Sequence, residues 1–141
     1  MNRVLDKPYD EKSLEGTNEL RLDFTKLNRI PEESLVIPVA VQNAITREVI
    51  LVAYTNKLAF EETIKKRKAI FWSTSRNELW FKGEDSGNTF TINSIHVNCE
   101  QNSLLYVVTP DKGNICHTSI DNVSNNCFYR ELNLDTMELE F

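Results

Sequence analysis

The sequence is short of several things, and each shortage excludes a class of protein. It has only four glycines and four prolines in 141 residues, too few for a collagen-like or low-complexity chain. No apolar run approaches the ~20 residues that a membrane-spanning helix needs. The opening stretch MNRVLDKPYDEKSLEG has no apolar signal-peptide core. The expectation is a cytoplasmic protein with no membrane partner. A basic surplus is missing too: the formal net charge is -5, the wrong sign for neutralising a nucleic-acid backbone. No nucleic-acid partner is expected, although a local basic pocket for one small phosphate fits this balance. No Cys-x-x-Cys pair occurs, so zinc fingers and ribbons are not signalled.

What is present suits one packed domain. Hydrophobic residues make up 40% and charged residues 26%, enough apolar material for a single core. Residues 1–34 are polar and read as an N-terminal extension with at most one short element. Residues 35–132 read as the domain and 133–141 as a C-terminal tail. Val36–Gln42 and Glu48–Tyr54 are β-branched runs in a hairpin pattern, with Pro38 predicting an edge position or a bulge. Asn56–Lys68 is the one clear helix, capped by Thr55 or Asn56. Lys65, Lys66, Arg67 and Lys68 complement its C-terminal dipole and read as a solvated end. Strand signals follow at 70–74, 79–82, 89–97 and 103–109, with a last one at Cys127–Leu132. In 89–97, alternation puts Phe90, Ile92, Ser94 and His96 on one side. The fold class is mainly β (α+β): antiparallel sheets with one principal helix.

Three cysteines, Cys99, Cys116 and Cys127, lie beside polar residues at strand boundaries. They read either as unrelated thiols or as one metal site, for which zinc is the preferred ion of soft thiolates. Three thiolates leave a fourth position for water. His117 follows Cys116 directly. It is either a loop histidine or a general base, since an imidazole pKa near ~6.5 suits proton transfer at neutral pH. The segment Trp72–Gly87 offers Ser73, Ser75, Arg76, Lys82 and Ser86, with amides around Gly83 and Gly87. These could surround an anion, or they could be ordinary polar turns. Trp72 and Trp80 read as core residues before nucleobase platforms.

Taken in order, these segments resemble the phosphoribosyl-AMP cyclohydrolase family. The carriers are VIPVAVQNAITREVILVAY, FWSTSRNELWFKGEDSGN, the Cys99 segment, CHT at 116–118 and NCFYR at 126–130. The resemblance spans roughly residues 35–130. It implies an intertwined homodimer with sites at the subunit interface and a purine ribonucleotide substrate. It implies zinc held by Cys99 of one chain with Cys116 and Cys127 of the other. It also implies His117 as the proton-transfer group, with Trp72, Ser73, Ser75, Arg76, Lys82, Gly83, Ser86 and Gly87 around the substrate. The implied reaction is hydrolytic opening of the adenine ring between N1 and C6 of 1-(5-phosphoribosyl)-AMP, in histidine biosynthesis. No room follows Arg130 for the pyrophosphohydrolase domain that some members carry, so that step is expected of a separate protein.

The sequence departs from the family at three places. The family's Asp-Cys-Asp-x-Asp, whose acids bind magnesium, is here Asn98-Cys99-Glu100-Gln101-Asn102. Two formal charges are gone from a set meant for a hard cation, so magnesium affinity should fall. Asp85 stands where threonine is common. The ten residues between Cys116 and Cys127 exceed the usual spacer and read as a loop insertion. These departures keep two alternatives open: a divergent zinc hydrolase acting on another purine nucleotide, and a non-catalytic nucleotide-binding dimer.

Overall fold

A computed structural model of the protein describes residues 16–22, 24, 27, 35–112, 119–120, 123–124 and 126–141. The first hairpin joins β1 (Ile37–Asn43) to β2 (Val49–Thr55). Its turn is set by Asn43, whose Oδ1 accepts from the amides of Ile45 (2.8 Å) and Thr46 (3.2 Å), a side chain standing in for a backbone turn. The pairing slips at Val41 and Gln42, which face Leu51 and Val49. Ile50 is therefore the extra residue of a bulge, and Ile50 and Leu51 are consecutively buried.

Helix α1 (Lys57–Lys66) follows. Asn56 caps it by accepting from the Ala59 amide at 2.9 Å. It ends at Arg67 in the left-handed region, φ 58°, where an L side chain costs free energy that glycine avoids. Arg67→Gly is expected to stabilise the protein by about 0.5–1 kcal/mol, read as a raised urea midpoint at unchanged slope.

Strands β3 (Ile70–Ser73) and β4 (Glu78–Phe81) form a separate hairpin, and β5 (Phe90–Val97) and β6 (Leu104–Pro110) complete the main sheet. Its order is β2-β1-β6-β5. One pair departs from the antiparallel expectation: β6 runs parallel to β1, with Val39 opposite Leu104. Parallel pairing suits strands whose apolar residues are deeply covered, and Val39, Val41, Tyr106 and Val108 are all fully buried. This makes β1 an interior strand, so Pro38 is not on an edge. It is tolerated because pairing with β6 begins only at Val39, one residue later.

The alternation predicted for 89–97 also breaks. Ile92 faces Val108 but Ser94 faces Val107, so Asn93 is a bulge that reverses the phase. Ile92 and Ile95 both pack on the core. Ser94 and His96 instead meet each other at 3.0 Å.

The core lies between the main sheet, α1 and β3, around Val39, Val41, Ile50, Phe71, Phe90, Tyr106 and Val108. Phe71 stacks on Tyr106 with centroids 5.9 Å apart. Burial pushes the Tyr106 pKa up, offset in part by nearby Thr55 and Thr63. The phenol oxygen meets neither threonine in good hydrogen-bond geometry. Thr63 instead clamps α1 to β3: its Oγ1 donates to the Ile70 carbonyl at 2.8 Å and accepts from the Ile70 amide at 3.1 Å.

The helix end is more than solvated. Lys68 Nζ reaches Asp111 Oδ2 at 2.7 Å and Thr91 Oγ1 at 2.8 Å. Thr89 and Thr91 hydroxyls also donate to the Asp111 carboxylate. Burial alone would raise the Asp111 pKa, but these hydrogen bonds and the Lys68 charge bring it down to about 2. The folded value lies below the unfolded one, so this stabilisation is full above the ordinary carboxylate range and disappears as pH falls through about 2. Asp111→Asn should cost about 1–2 kcal/mol at neutral pH, discounted for partial exposure. In urea titrations its gap to wild type should close between pH 4 and pH 2.

The strand predicted at Cys127–Leu132 does not form over that length. Asn126 Oδ1 accepts from the Phe128 amide at 2.8 Å, turning the chain there, and only Glu131–Leu132 is extended. This is β9, following two short strands, β7 (Ser119–Ile120) and β8 (Val123–Ser124). It pairs with β10 (Leu139–Glu140). The N-terminal segment joins this hairpin: the Leu139 amide donates to Asn18 O at 2.7 Å, and Arg130 Nη1 to Thr17 O at 2.9 Å. Residues 1–15, 23, 25–26 and 28–34 lie outside the described residues, and 16–22 hold only bends and irregular backbone. Among the described residues no helix is long and apolar enough to cross a membrane.

Candidate functional site

The β3–β4 hairpin packs on β2, and the two enclose a cavity of about 380 Å³. Trp72, Ser73, Ser75 and Arg76 all line it. A tight turn at 74–77 gathers the polar members. Ser73 Oγ lies 3.3 Å from Ser75 Oγ and accepts from the Arg76 amide at 3.3 Å. The Asn77 amide closes the turn on the Ser73 carbonyl at 2.7 Å. Arg76 is exposed and 3.9 Å from Glu78, a surface pair that holds it weakly.

Neither tryptophan enters the core, contrary to the sequence reading. Trp80 lies over Phe71 (centroids 5.4 Å) yet stays 40% exposed, and both indoles line the cavity. The hairpin is covered by α1 and β2 on one side only, which leaves the aromatic pair a wall rather than a centre. Two buried polar atoms of this wall, Trp72 Nε1 and Thr74 Oγ1, have no hydrogen-bond partner. Such groups cost about 1–3 kcal/mol each when unmet, and a polar ligand would relieve that cost.

The other predicted anion-binding residues sit at the opposite end of the hairpin. Ile70 pairs with Phe81 there, and Ser73 with Glu78 at the cavity end. Lys82–Gly87 forms the loop leaving β4. Gly83 has φ 80°, and a Cβ on it would collide with the Asn88 backbone at 2.2 Å. Lys82 Nζ stands over the Phe90 ring at 4.8 Å. Ser86 Oγ accepts from the Asn88 amide at 3.2 Å. Asp85 is exposed, free to turn away from a bound anion.

Cys99 and Cys127 are both exposed, but they lie far apart. Cys99 is in the turn after β5, one edge strand of the sheet. Cys127 is fastened to the other edge, its amide donating at 2.8 Å to the carbonyl of the bulge residue Ile50. Three strand spacings, plus the offset along the strands, separate them by roughly 15–20 Å. Sulfurs sharing a zinc lie within about 4 Å of each other. These two thiols of one chain therefore cannot share an ion. The donor type suits zinc. Among the described residues no three acids, cysteines or histidines gather within one chain. Cys116 and His117 lie outside the described residues.

The family profile described as phosphoribosyl-AMP cyclohydrolase matches residues 51–129. That stretch runs from β2 through the cavity hairpin to the segment after Cys127. The chain belongs to the phosphoribosyl-AMP cyclohydrolase family. It is 45% identical over 97 residues to the "Phosphoribosyl-AMP cyclohydrolase" of Nitrosopumilus maritimus, covering 69% of this chain and 85% of that one. With the protein of the same description from Cenarchaeum symbiosum, identity is 44%, over 79% of this chain and 93% of the other. The "Histidine biosynthesis bifunctional protein HisIE" of Bacillus subtilis is 43% identical over 73% of this chain, but only 46% of its own length is matched.

Against this cyclohydrolase family the turn at 98–102 stands out. Asn98 Oδ1 accepts from the amides of Asn102 and Ser103, each at 2.9 Å. Asn98 Nδ2 donates to Asn102 Oδ1 at 2.7 Å. Both amide oxygens are thus engaged in closing the turn, Asn98 Oδ1 by two hydrogen bonds, and Glu100 is the sole carboxylate of the set. Magnesium requires several hard oxygens in near-octahedral array, so these residues do not fit it. Sequence reasoning missed Thr74 and the β2 residues Val52, Ala53 and Tyr54, which complete the cavity. No motif marks them; only the packing of the hairpin on β2 brings them in.

Proposed function

We infer that the protein is a cyclohydrolase that opens the adenine ring of 1-(5-phosphoribosyl)-AMP by hydrolysis between N1 and C6, a step of histidine biosynthesis. The observation that carries this reading is the match to relatives of that description over 85% and 93% of their lengths. The cavity with its two unmet polar atoms supports it independently.

The working form is a cytoplasmic homodimer. Cys99 of one protomer with Cys116 and Cys127 of the other would hold zinc, the ion that soft thiolates prefer. When bound, zinc supplies the Lewis acidity that makes water a usable nucleophile at neutral pH. His117, beside one of the ligands in sequence, takes and returns the proton as C6 is attacked and the C6–N1 bond breaks. Trp72 Nε1 and Thr74 Oγ1 meet polar atoms of the substrate, while Ser73, Ser75 and Arg76 hold phosphate. Anchoring a remote phosphate fixes the reacting carbon in place, so binding energy lowers the barrier as well as the Kd. The 98–102 turn contributes no ion to the reaction.

The test is a direct assay on phosphoribosyl-AMP with metal analysis of the same sample. About one zinc per chain and ring opening without added magnesium are expected. Zinc-loaded protein that leaves the substrate unchanged, with or without magnesium, would refute the reading. The amide-closed turn then favours the second one, a zinc hydrolase acting on a different purine nucleotide, which an absorbance screen of such nucleotides would reveal.

A further inference from the structure

Among the described residues the buried polar ones are Asn43, Thr55, Thr63 and Thr74. The fold uses the first three. Asn43 Oδ1 closes the β1–β2 turn. Thr55 Oγ1 donates to the Asn56 carbonyl at 3.2 Å, and Thr63 Oγ1 clamps α1 to β3. Thr74 differs: it is only 3% exposed, and its hydroxyl has no hydrogen-bond partner. The turn that it opens is closed by other groups. The Ser73 carbonyl takes the Asn77 amide, and Ser73 Oγ takes the Arg76 amide. Valine has the same shape without a hydroxyl to leave unmet, so nothing in the fold calls for threonine at this position.

Thr74 lines the cavity between β2 and the β3–β4 hairpin, together with Tyr54, Trp72 and Trp80. The polar groups of that cavity divide by exposure. Ser75, Arg76 and Glu78 are exposed and have water. Thr74 Oγ1 and Trp72 Nε1 are closed to water and unpartnered. Aromatic rings and the apolar Val52 and Leu79 make up much of the remaining wall. An ion drawn in among them, away from the exposed Arg76, would lose its hydration without gaining a countercharge. The part of a ligand that reaches Thr74 is therefore neutral and largely apolar, with hydrogen-bonding atoms at its edge. An aromatic heterocycle has that chemistry. The indole can only donate and the hydroxyl can do either, and a turn of Thr74 between staggered χ1 wells presents the hydroxyl. The Tyr106 hydroxyl is also unpartnered, but it belongs to the core against Phe71 and not to the cavity lining.

We propose that Thr74 is the base-binding residue of this site: its hydroxyl, left unpaired in the folded chain, hydrogen-bonds the edge of a heterocyclic base seated against the aromatic wall. This deepens the cyclohydrolase reading and rests on it for the kind of base, a purine. Thr74 is then a specificity-determining residue. Its hydroxyl lowers the stability of the free protein while it selects ligands that carry a base. A threonine kept for packing would do neither.

Two measurements on the full-length protein test this. In urea titrations Thr74→Val should raise the midpoint at unchanged slope, because it removes a buried hydroxyl that has no partner and keeps the shape. In calorimetry the same variant should weaken AMP by about three- to tenfold, the size of one neutral hydrogen bond, and ribose 5-phosphate, which has no base, by less than about twofold. Thr74→Ser keeps the hydroxyl and should hold AMP within about twofold of wild type. The proposal is overturned if Thr74→Val lowers the urea midpoint or leaves it unmoved. It is overturned equally if that variant leaves AMP unchanged or weakens both ligands alike, if Thr74→Ser loses AMP as Thr74→Val does, or if wild type does not bind AMP. Neither measurement uses turnover. Protein that opens no ring but loses AMP in Thr74→Val refutes the reaction and leaves Thr74 its role. Protein that opens the ring while AMP binds Thr74→Val unchanged refutes the role alone.

Discussion

Cys99→Ser and Cys127→Ser protein, unfolded together in equal amounts and refolded with zinc, should regain about one quarter of wild-type ring-opening activity. Each variant alone should fall by a factor of about 10³ or more, since removing one thiolate removes the metal. The recovery follows from symmetry. In the proposed two-fold dimer each site would take Cys99 from one chain and Cys127 from the other. A mixed dimer places both lesions in one site and leaves the second whole. Half of the randomly formed dimers are mixed, and each carries one good site of two. A site contained within one chain would show no recovery at all. The separation of Cys99 and Cys127 across the sheet is what makes the shared arrangement the one to test. Zinc content measured on the same mixture should track the activity. A Cys99→Ser protein that keeps its full zinc would remove Cys99 from the site.

Phe71→Ala should be the most damaging substitution away from the thiols, at about 3–5 kcal/mol. Phe71 is fully buried, stacks on Tyr106 and supports Trp80. Its loss removes a large apolar area and leaves a void in a core that cannot collapse around it, because the parallel β1–β6 pair fixes the opposite wall. A domain of this size has about 5–15 kcal/mol in total, so the urea midpoint should drop steeply. Trp80 fluorescence should change in the folded baseline as well, because the indole loses the ring beneath it. A variant with wild-type stability would mean that Phe71 is not central to the core.

Elements whose causes are local were legible in the sequence. The β1–β2 hairpin, the Asn56 cap and the four later strands each follow from neighbouring residues. What depends on distant partners was not. The parallel pairing of β1 with β6 is decided by mutual burial of Val39, Val41, Tyr106 and Val108, and nothing in either run alone states its direction. Bulges at Ile50 and Asn93 are set by the opposite strand. The turn at Asn126 was hidden because CFYREL has the composition of a strand, while the asparagine before it decides the backbone. In the candidate site, Trp72–Arg76 was readable as a polar cluster beside an aromatic. Its division from Lys82–Gly87 needed the register of the hairpin.

The bulge at Ile50 has a bearing on how copies of this chain can meet. Strand β2 is an edge, and an open edge invites a second strand to extend the sheet. Here the carbonyl of Ile50 is already taken by the Cys127 amide. A strand added along the whole of β2 would have to evict that bond at the start of the edge, and with it the backbone that carries a thiol. Sheet extension along β2 and retention of the thiol's position therefore compete, which steers association toward side-chain surfaces and away from ribbon-like growth.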